Sequence, residues 1–415
     1  MHVTVENRSV TPAHEAEFEV VERKGIGHPD SMADILAEEF SRRYSRYGLD
    51  TLGIVPNHWV DKVALIGAAA TVDFGGFSVD KPISSYLFGK LTRAIGDTSM
   101  PIEDLFRNAS TDVLVAATRD PRIIDYVRHA VENTSGTAVD HPPAFYRPID
   151  AVAAEQATAL RANDTAFCAA HAPATPTEQL AITLENLVNG PEFATMFPAA
   201  GSDVKVMLLR GDARLDVTLC LPFHPGMTPT GESYRGMLAA AHEHIAALAA
   251  VAALGLGISD PVHVAVNTKD VEGGAYLAPF GTSLGKGDCG LVGRGNKADG
   301  VIASSRSAGV EALAGKNPVH HTGKLYTLAA TRIADRVHAE LGLANETVLM
   351  SRNGDPLDQP AFVGVRLGGR AGRAQRVVID EIAHDTISRL DLLTKWLLET
   401  PAIERFRDPR VQVEG

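Results

Sequence analysis

Cysteine is scarce in this chain. There are three in 415 residues, Cys168, Cys220 and Cys289. They are too few and too scattered for a disulfide framework or a zinc site. Reduced thiols in a cytoplasmic protein are the expectation. Positive charge is short as well: 39 Lys plus Arg stand against 51 Asp plus Glu, a formal net charge of −12. That balance argues against a chain-wide basic face for nucleic acid or an anionic membrane. It leaves room for one basic pocket around a small anion. Long apolar runs are missing too. The longest, Ile245–Ile258, falls below the ~18 residues of a membrane span and reads as a buried helix. Met1–Val20 is polar and acidic with no apolar stretch, so no secretory signal is expected. No short internal repeat is visible.

Apolar residues make up 45% of the chain and charged residues 22%, which is enough to build packed cores and excludes global disorder. Residues 1–19 read as an edge strand or lead-in. A helix is predicted just after Asp30, because Met32, Ile35, Leu36, Phe40 and Tyr44 recur at helical spacing. Asp30 or Ser31 would cap it and Gly48 would end it. Val63–Ala70 reads as a strand, and residues 84–95 and 101–117 read as helix then strand. Val152–Leu160, Thr177–Leu187, Tyr234–Leu254 and Gly323–Leu341 read as helices. Val204–Leu209 and Leu215–Leu221 are predicted to form a hairpin about Arg210–Ala213, and Val262–Asn267 a strand. Arg376–Ile379 reads as a strand before a helix Asp380–Leu398. Residues 132–150 read as a loop and a domain edge. Helices and strands mix without strict alternation, which favours α+β over a doubly wound parallel sheet.

The chemistry concentrates in Gly281–Gly300, where seven of twenty residues are glycine. Glycines let backbone N–H groups close around an anion. Lys286, Arg294 and Lys297 add positive charge, and Asp288 is a hard oxygen donor suited to Mg²⁺. Polyphosphate wants all three features. Gly293–Ala298 also spells a dinucleotide fingerprint, but no strand leads into it and no helix follows, so a Rossmann site is not expected. Gly315-Lys316 resembles the end of a phosphate loop, yet Val310 and Asn317 break that pattern. Lys316 and Lys324 each follow a glycine, a placement suited to phosphate contacts. His28-Pro29-Asp30 stands at a helix N-terminus, where free N–H groups and the dipole favour an anion. There His28 could stabilise a leaving oxyanion and Asp30 hold a bridging metal.

These segments occur in a fixed order: Glu22–Ser31, Ala162–Thr165, Asp203–Met207, Gly281–Ser283, Gly287–Gly290, Val292–Asn296 and Gly315–Tyr326. Together they resemble the S-adenosylmethionine synthetase (methionine adenosyltransferase) family in its archaeal-type branch. The resemblance implies a reaction in which methionine sulfur attacks C5′ of ATP, expels the triphosphate, and leaves it to be cut to phosphate and pyrophosphate. It implies an α+β fold of three similar domains, each a mixed or antiparallel sheet covered by helices. Approximate spans are 1–140 for the His-Pro-Asp domain, 141–270 for the central domain and 271–415 for the glycine-rich loops, with interleaving expected. His28, Lys205, Arg294, Lys316 and Lys324 would carry catalysis. Asp30 and Asp288 would bind metal, and Asp61, Asn163, Asp164, Lys297, Gly293 and Gly295 would bind ATP or the second substrate. Two Mg²⁺ and K⁺ are the implied cofactors. The implied partners are ATP, L-methionine and a second copy of the chain in a homodimer with active sites at the subunit interface, with no nucleic acid and no membrane. The implied compartment is the cytoplasm.

The chain departs from the family pattern on one side. Asn57–Lys62 and Gly67–Ala70 replace polar segments associated with the methionine end, adding Trp59 and small apolar residues. Asn133–Gly136 replaces a glycine-rich turn, and Arg306-Ser307-Ala308 an Arg-Pro-Met. Two alternatives follow: a paralogue that adenosylates another thioether or an amine, or a non-catalytic regulatory homologue. For an amine, the base would have to be His58 or Asp61.

Overall fold

A computed structural model describes residues 2–8, 10, 15–139, 143–157, 160–270 and 274–411. Three sheets, each backed by helices over its own core, build the chain. The central sheet runs, in spatial order, Val262–Val266, Arg214–Cys220, Lys205–Gly211, Phe18–Lys24 and Ile302–Ala303. Its hairpin turns at Asp212 and Ala213, both at positive φ (52° and 55°), the twist that two-residue hairpins prefer. Helices Pro176–Val188 and Gly231–Gly255 cover its inner face, sealed by Val21, Leu208, Val217, Leu184 and Ile245.

The second sheet is Gly290–Leu291, His58–Ile66, Ile83–Leu91 and Val127–Asn133. Helices Pro29–Leu52 and Ile102–Thr118 pack on it through Leu36, Phe40 and Phe106. The third is Val3–Glu6, Phe362–Leu367, Asn345–Met350 and Phe167–Ala172. Helix Thr322–Leu341 lies on it, backed by helices Arg373–Ser388 and Leu390–Glu399. Parallel and antiparallel pairings mix in each of these three sheets. The fold is α+β, as expected. The sheets do not follow sequence order: Val3–Glu6 joins the third, Phe18–Lys24 the central one, and Gly290–Leu291 returns to the second.

Several local expectations change. The first helix runs through Gly48 to Leu52 and stops at Gly53, whose φ of 74° is the left-handed cap. Gly48 serves packing, since a Cβ there would lie 2.2 Å from Pro56 Cδ. The order in 84–118 is reversed, with strand Ile83–Leu91 first and helix Ile102–Thr118 second. The strand Val63–Ala70 starts earlier, at His58, and breaks at Gly67 before Ala69–Asp73. Arg376–Ile379 is helical, and the single helix Asp380–Leu398 is two helices meeting at Arg389. The expected buried helix at 245–258 is buried on one face only. In Gly231–Gly255 the residues Tyr234, Ala241, Ile245, Ala249 and Ala253 point inward, while Val251 and Leu254 are each 73% exposed. By length and composition this helix is apolar enough to cross a membrane, and it packs on the central sheet and on helix Pro176–Val188.

Candidate active site

Register alone creates the first feature of the site. Lys205 pairs with Lys24 on one side and Cys220 on the other. Like charges directly across a ladder repel. Glu22 answers Lys205 at 3.1 Å and Asp30 answers Lys24 at 2.9 Å. Two such cations kept side by side form an anion-attracting row.

The end of this row meets the N-terminus of helix Pro29–Leu52. Its cap is His28, not Asp30 or Ser31: His28 Nδ1 accepts the Asp30 N–H at 3.2 Å, and Pro29 fills the first helical position. A ring nitrogen that accepts must lack a proton, so this hydrogen bond assigns the proton of the neutral ring to Nε2. Burial pulls the imidazole pKa below its usual value and outweighs the opposing charges of Asp203 and Asp30. His28 is therefore a neutral donor at physiological pH.

His28, Asp203, Lys205, Asn267, Lys286 and Asp288 line one cavity of about 490 Å³. Asp203 is buried beneath it. It accepts the Ser283 N–H at 2.9 Å, the Ser283 hydroxyl, and the Tyr276 hydroxyl at 3.3 Å. Burial raises its carboxyl pKa, with His28 and these donors pulling the other way. Lys286 lies 4.6 Å over the Tyr276 ring, and burial lowers its pKa. Asp288 is exposed and sits against Gly67, where any side chain would strike its carbonyl. The altered segment Gly67–Ala70 thus packs, through Gly67, against the backbone of one residue of the cavity wall.

Around the helix start, side chains grip the backbone of the glycine-rich loop. Asp30 accepts the Leu291 N–H at 3.1 Å; Asp34 accepts those of Gly293 at 2.8 Å and Gly295 at 3.1 Å. Lys24 donates to the Arg294 carbonyl, and the Asn296 amide bonds the Lys24 backbone in both directions. The Arg294 residue itself is exposed. Lys297 lines a separate recess of about 240 Å³ with Asp34, His171 and Arg306.

Asp61, Lys316, Asn163 and Asp164 belong to a second cluster. Lys316 is 2% exposed and donates to the Val60 and Asp61 carbonyls at 2.8 and 2.9 Å. The Asp61 carboxylate stands 3.7 Å away, and the Trp59 ring 5.7 Å. Burial, reinforced by Lys62, pulls its pKa down to about 8. Asn163 accepts from the Thr322 N–H and hydroxyl at 2.8 and 2.7 Å, and its buried Nδ2 has no hydrogen-bond partner. Asp164 accepts the Thr165 N–H at 2.7 Å through its carboxylate. Lys324 is not at a surface. It is 3% exposed and donates to Glu38 at 2.7 Å and to the Lys316 carbonyl at 2.8 Å. That placement supports the Lys316 loop from below rather than presenting an ammonium to a ligand. His58 is equally interior, bonded to Ser41 at 2.7 Å and the Pro56 carbonyl at 2.9 Å, with its pKa pushed down to about 3 by burial. It cannot serve as a base for an acceptor.

The two clusters are set apart. Glu38 lies ten residues along the helix from His28, roughly 15 Å at the helical rise. Among the described residues, no three His, Cys, Asp or Glu converge as a ready metal cage. Lys24, Asp34, Asp203 and Tyr276 were given no role from sequence, although Asp203 stood in one of the quoted segments. Lys24 was detectable only through strand register, and Asp34 only as the helical neighbour one turn beyond Asp30.

Residues 1–400 match the family model described as S-adenosylmethionine synthetase (AdoMet synthetase). The S-adenosylmethionine synthase of Pyrococcus furiosus is 33% identical over 98% of this chain and 97% of that one. That of Methanothermobacter marburgensis is 31% identical over 97% and 96%. A solved structure of an unusual S-adenosylmethionine synthetase from Campylobacter jejuni shares the fold, with a TM-score of 0.55, 14% identity, and coverage of 95% of this chain and all of that one. The match of family model, relatives and fold over nearly the full length shows that this chain belongs to the S-adenosylmethionine synthetase family.

Proposed function

We propose that the chain is a methionine adenosyltransferase. The observation that carries this reading is the neutral His28 at a helix N-terminus, opening on a cavity ringed by Lys205, Lys286 and Asp288. The methionine sulfur lone pair forms the new bond to C5′ of ATP. The C5′–O bond breaks, and its electron pair leaves with the triphosphate. A thioether sulfur has no proton to lose, so no general base is required. The problem to solve is charge on the leaving oxygen. The His28 Nε2–H donates to that oxygen, and Lys205 and Arg294 hold the phosphates. Asp30 and Asp288 are hard carboxylates beside a cationic cavity, a donor set that suits Mg²⁺ arriving with phosphate oxygens. Mg²⁺ held there would neutralise triphosphate charge and orient it for cleavage to phosphate and pyrophosphate. K⁺ is proposed as a further requirement. Asp61, Asn163, Asp164 and Lys316 face the nucleoside and amino acid ends. Lys316 leans through Lys324 on Glu38, which stands roughly 15 Å along the helix from His28. We therefore place the complete site between two copies, one supplying the His28 cavity and the other the Lys316 cluster.

The test is an endpoint assay by mass spectrometry with ATP, Mg²⁺, K⁺ and methionine. S-adenosylmethionine, phosphate and pyrophosphate in equal amounts support the reading. Replacing K⁺ by Na⁺ tests the monovalent cation. His28→Asn should cut the transfer rate by ~10²–10³ while leaving ATP binding near normal, since it removes a contact to the developing charge. Phosphate and pyrophosphate released with adenosine, water having taken the adenosyl group in place of methionine, would instead favour a different thioether acceptor. That second reading rests on Gly67 packing against Asp288 of the cavity wall and on Trp59 beside Lys316.

A further inference from the structure

The loop Gly290–Gly295 has few side chains with which to fix its own shape. Gly293 sits at a φ of 86°, and Gly290 packs so close to Pro29 that a Cβ would meet its carbonyl at 2.0 Å. Its order comes from outside, from one face of helix Pro29–Leu52. Asp30 and Asp34 stand one turn apart on that face. Between them they take every second amide: Leu291, Gly293 and Gly295. Arg294 is the residue between the last two. Its own N–H bonds the Leu291 carbonyl at 3.1 Å, and its carbonyl accepts from Lys24. The backbone of Arg294 is thus held on all sides, while its side chain is free to reach.

A carboxylate is a costly choice for that task. Burial pushes the Asp34 pKa up to about 7, against the pull of the two amides and Lys24. A neutral residue would pack there more cheaply. Both Asp34 oxygens are nevertheless committed, one to each amide flanking Arg294, and a two-pronged acceptor fixes direction as well as distance.

We propose that Asp34 is the positioning residue for Arg294, aiming its guanidinium at the triphosphate by clasping the amides on both sides of it. The inference rests on the reading of Arg294 as a phosphate contact. It adds a residue that touches no substrate and acts only through the loop.

A double-mutant cycle in the full-length protein tests this. Asp34→Asn keeps the size but turns one prong into a donor facing an N–H. It should lower kcat for S-adenosylmethionine formation by ~10–100-fold, the usual loss when a supporting partner is removed. In an Arg294→Ala background the same change should cost less than about twofold, because the residue it positions is gone. Gly295→Ala approaches the clasp from the other side, since its Cβ would lie 2.2 Å from Asp34 Oδ2. It should reproduce the kinetic loss and not add to Asp34→Asn. Amide exchange reads the clasp without any turnover: Asp34→Asn should speed exchange at Gly293 and Gly295 and spare Leu291. Equal losses from Asp34→Asn with and without Arg294, or unchanged exchange at both glycines, would overturn the proposal. Full activity in Arg294→Ala would remove the reading of Arg294 itself, and with it the assignment of Asp34. An inactive wild type with fast exchange in the variant would strike only the proposed function and leave the clasp standing.

Discussion

At the scale of single residues, the informative groups are charges in the wrong place for stability alone. Glu38 is one. It joins Lys324 at 2.7 Å and Arg405 at 2.8 Å. Burial would raise its pKa, but the two cations outweigh burial and hold it at about 2, below the usual 4.5. A depressed carboxyl pKa stabilises the fold above the unfolded value, and that gain is lost as pH falls from about 4.5 toward 2. The shift corresponds to at most about 3 kcal/mol. Burial pulls the Lys324 ammonium below its usual pKa and Glu38 pulls it back up, so removing Glu38 strips this interior group of its counter-charge. Glu38→Gln should therefore cost ~3–5 kcal/mol near neutral pH, seen as a Tm drop of several degrees. The difference from wild type should shrink by pH 3. An undiminished gap at that pH would mean the ion pair is not its source. Residue chemistry was legible in sequence where it is local. His28-Pro29-Asp30 announced a helix start. The part of Asp34 was not legible, because its partners are about 260 residues away and only the fold supplies them.

At the scale of elements, periodicity served the long helices. Thr177–Leu187 and Gly323–Leu341 differ from Pro176–Val188 and Thr322–Leu341 by a residue at most. Propensity misled at Arg376–Ile379. Val377, Val378 and Ile379 read as a strand, but Ile379, Ile382 and Ala383 form a buried helical stripe over the third core. Tertiary burial overrode β-branching. Strands Asn345–Met350 and Phe362–Leu367 were not found: all six positions are buried or partly buried in the first, so no exposed face marks its pleat. Gly48 shows the same lesson in one residue. Read as a stop, it is a contact point under Pro56. Gly48→Ala would gain ~0.5–1 kcal/mol in helix propensity. It would lose ~1–3 kcal/mol by forcing Pro56 away. A lower Tm with an unchanged KM for ATP is expected, and a raised Tm would show that the helix absorbs the methyl group.

At the scale of the whole molecule, helix Ala402–Arg407 ties the cores together. Arg23 is fully buried; it bonds Glu185 at 2.9 Å and the Gly300 carbonyl at 2.6 Å. Its third partner is the Phe406 carbonyl at 3.0 Å, with the Phe406 ring 4.7 Å beneath the guanidinium. Arg405 reaches Glu38, and Asn186 donates to the Arg407 carbonyl at 2.9 Å. Ending the chain after Glu399 would uncover Arg23 and Glu38 together. Limited proteolysis should then cut the shortened protein faster, and its Tm should fall by more than Glu38→Gln alone produces. A Tm equal to that of Glu38→Gln would mean that the helix contributes through Arg405 only.

The sheet order has a temporal side. Val3 pairs with Val363, and Phe18–Lys24 lies between strands at 205–211 and 302–303. At ~5–20 residues per second, a strand leaving the ribosome first waits about 20–70 s for its partner to be made. Over that interval the third sheet cannot be completed, while the strands of the other two are all made by residue 303. The newborn chain therefore carries an unpaired Val3–Glu6 strand for most of its translation, and its cationic row stays half built until Lys205 is made.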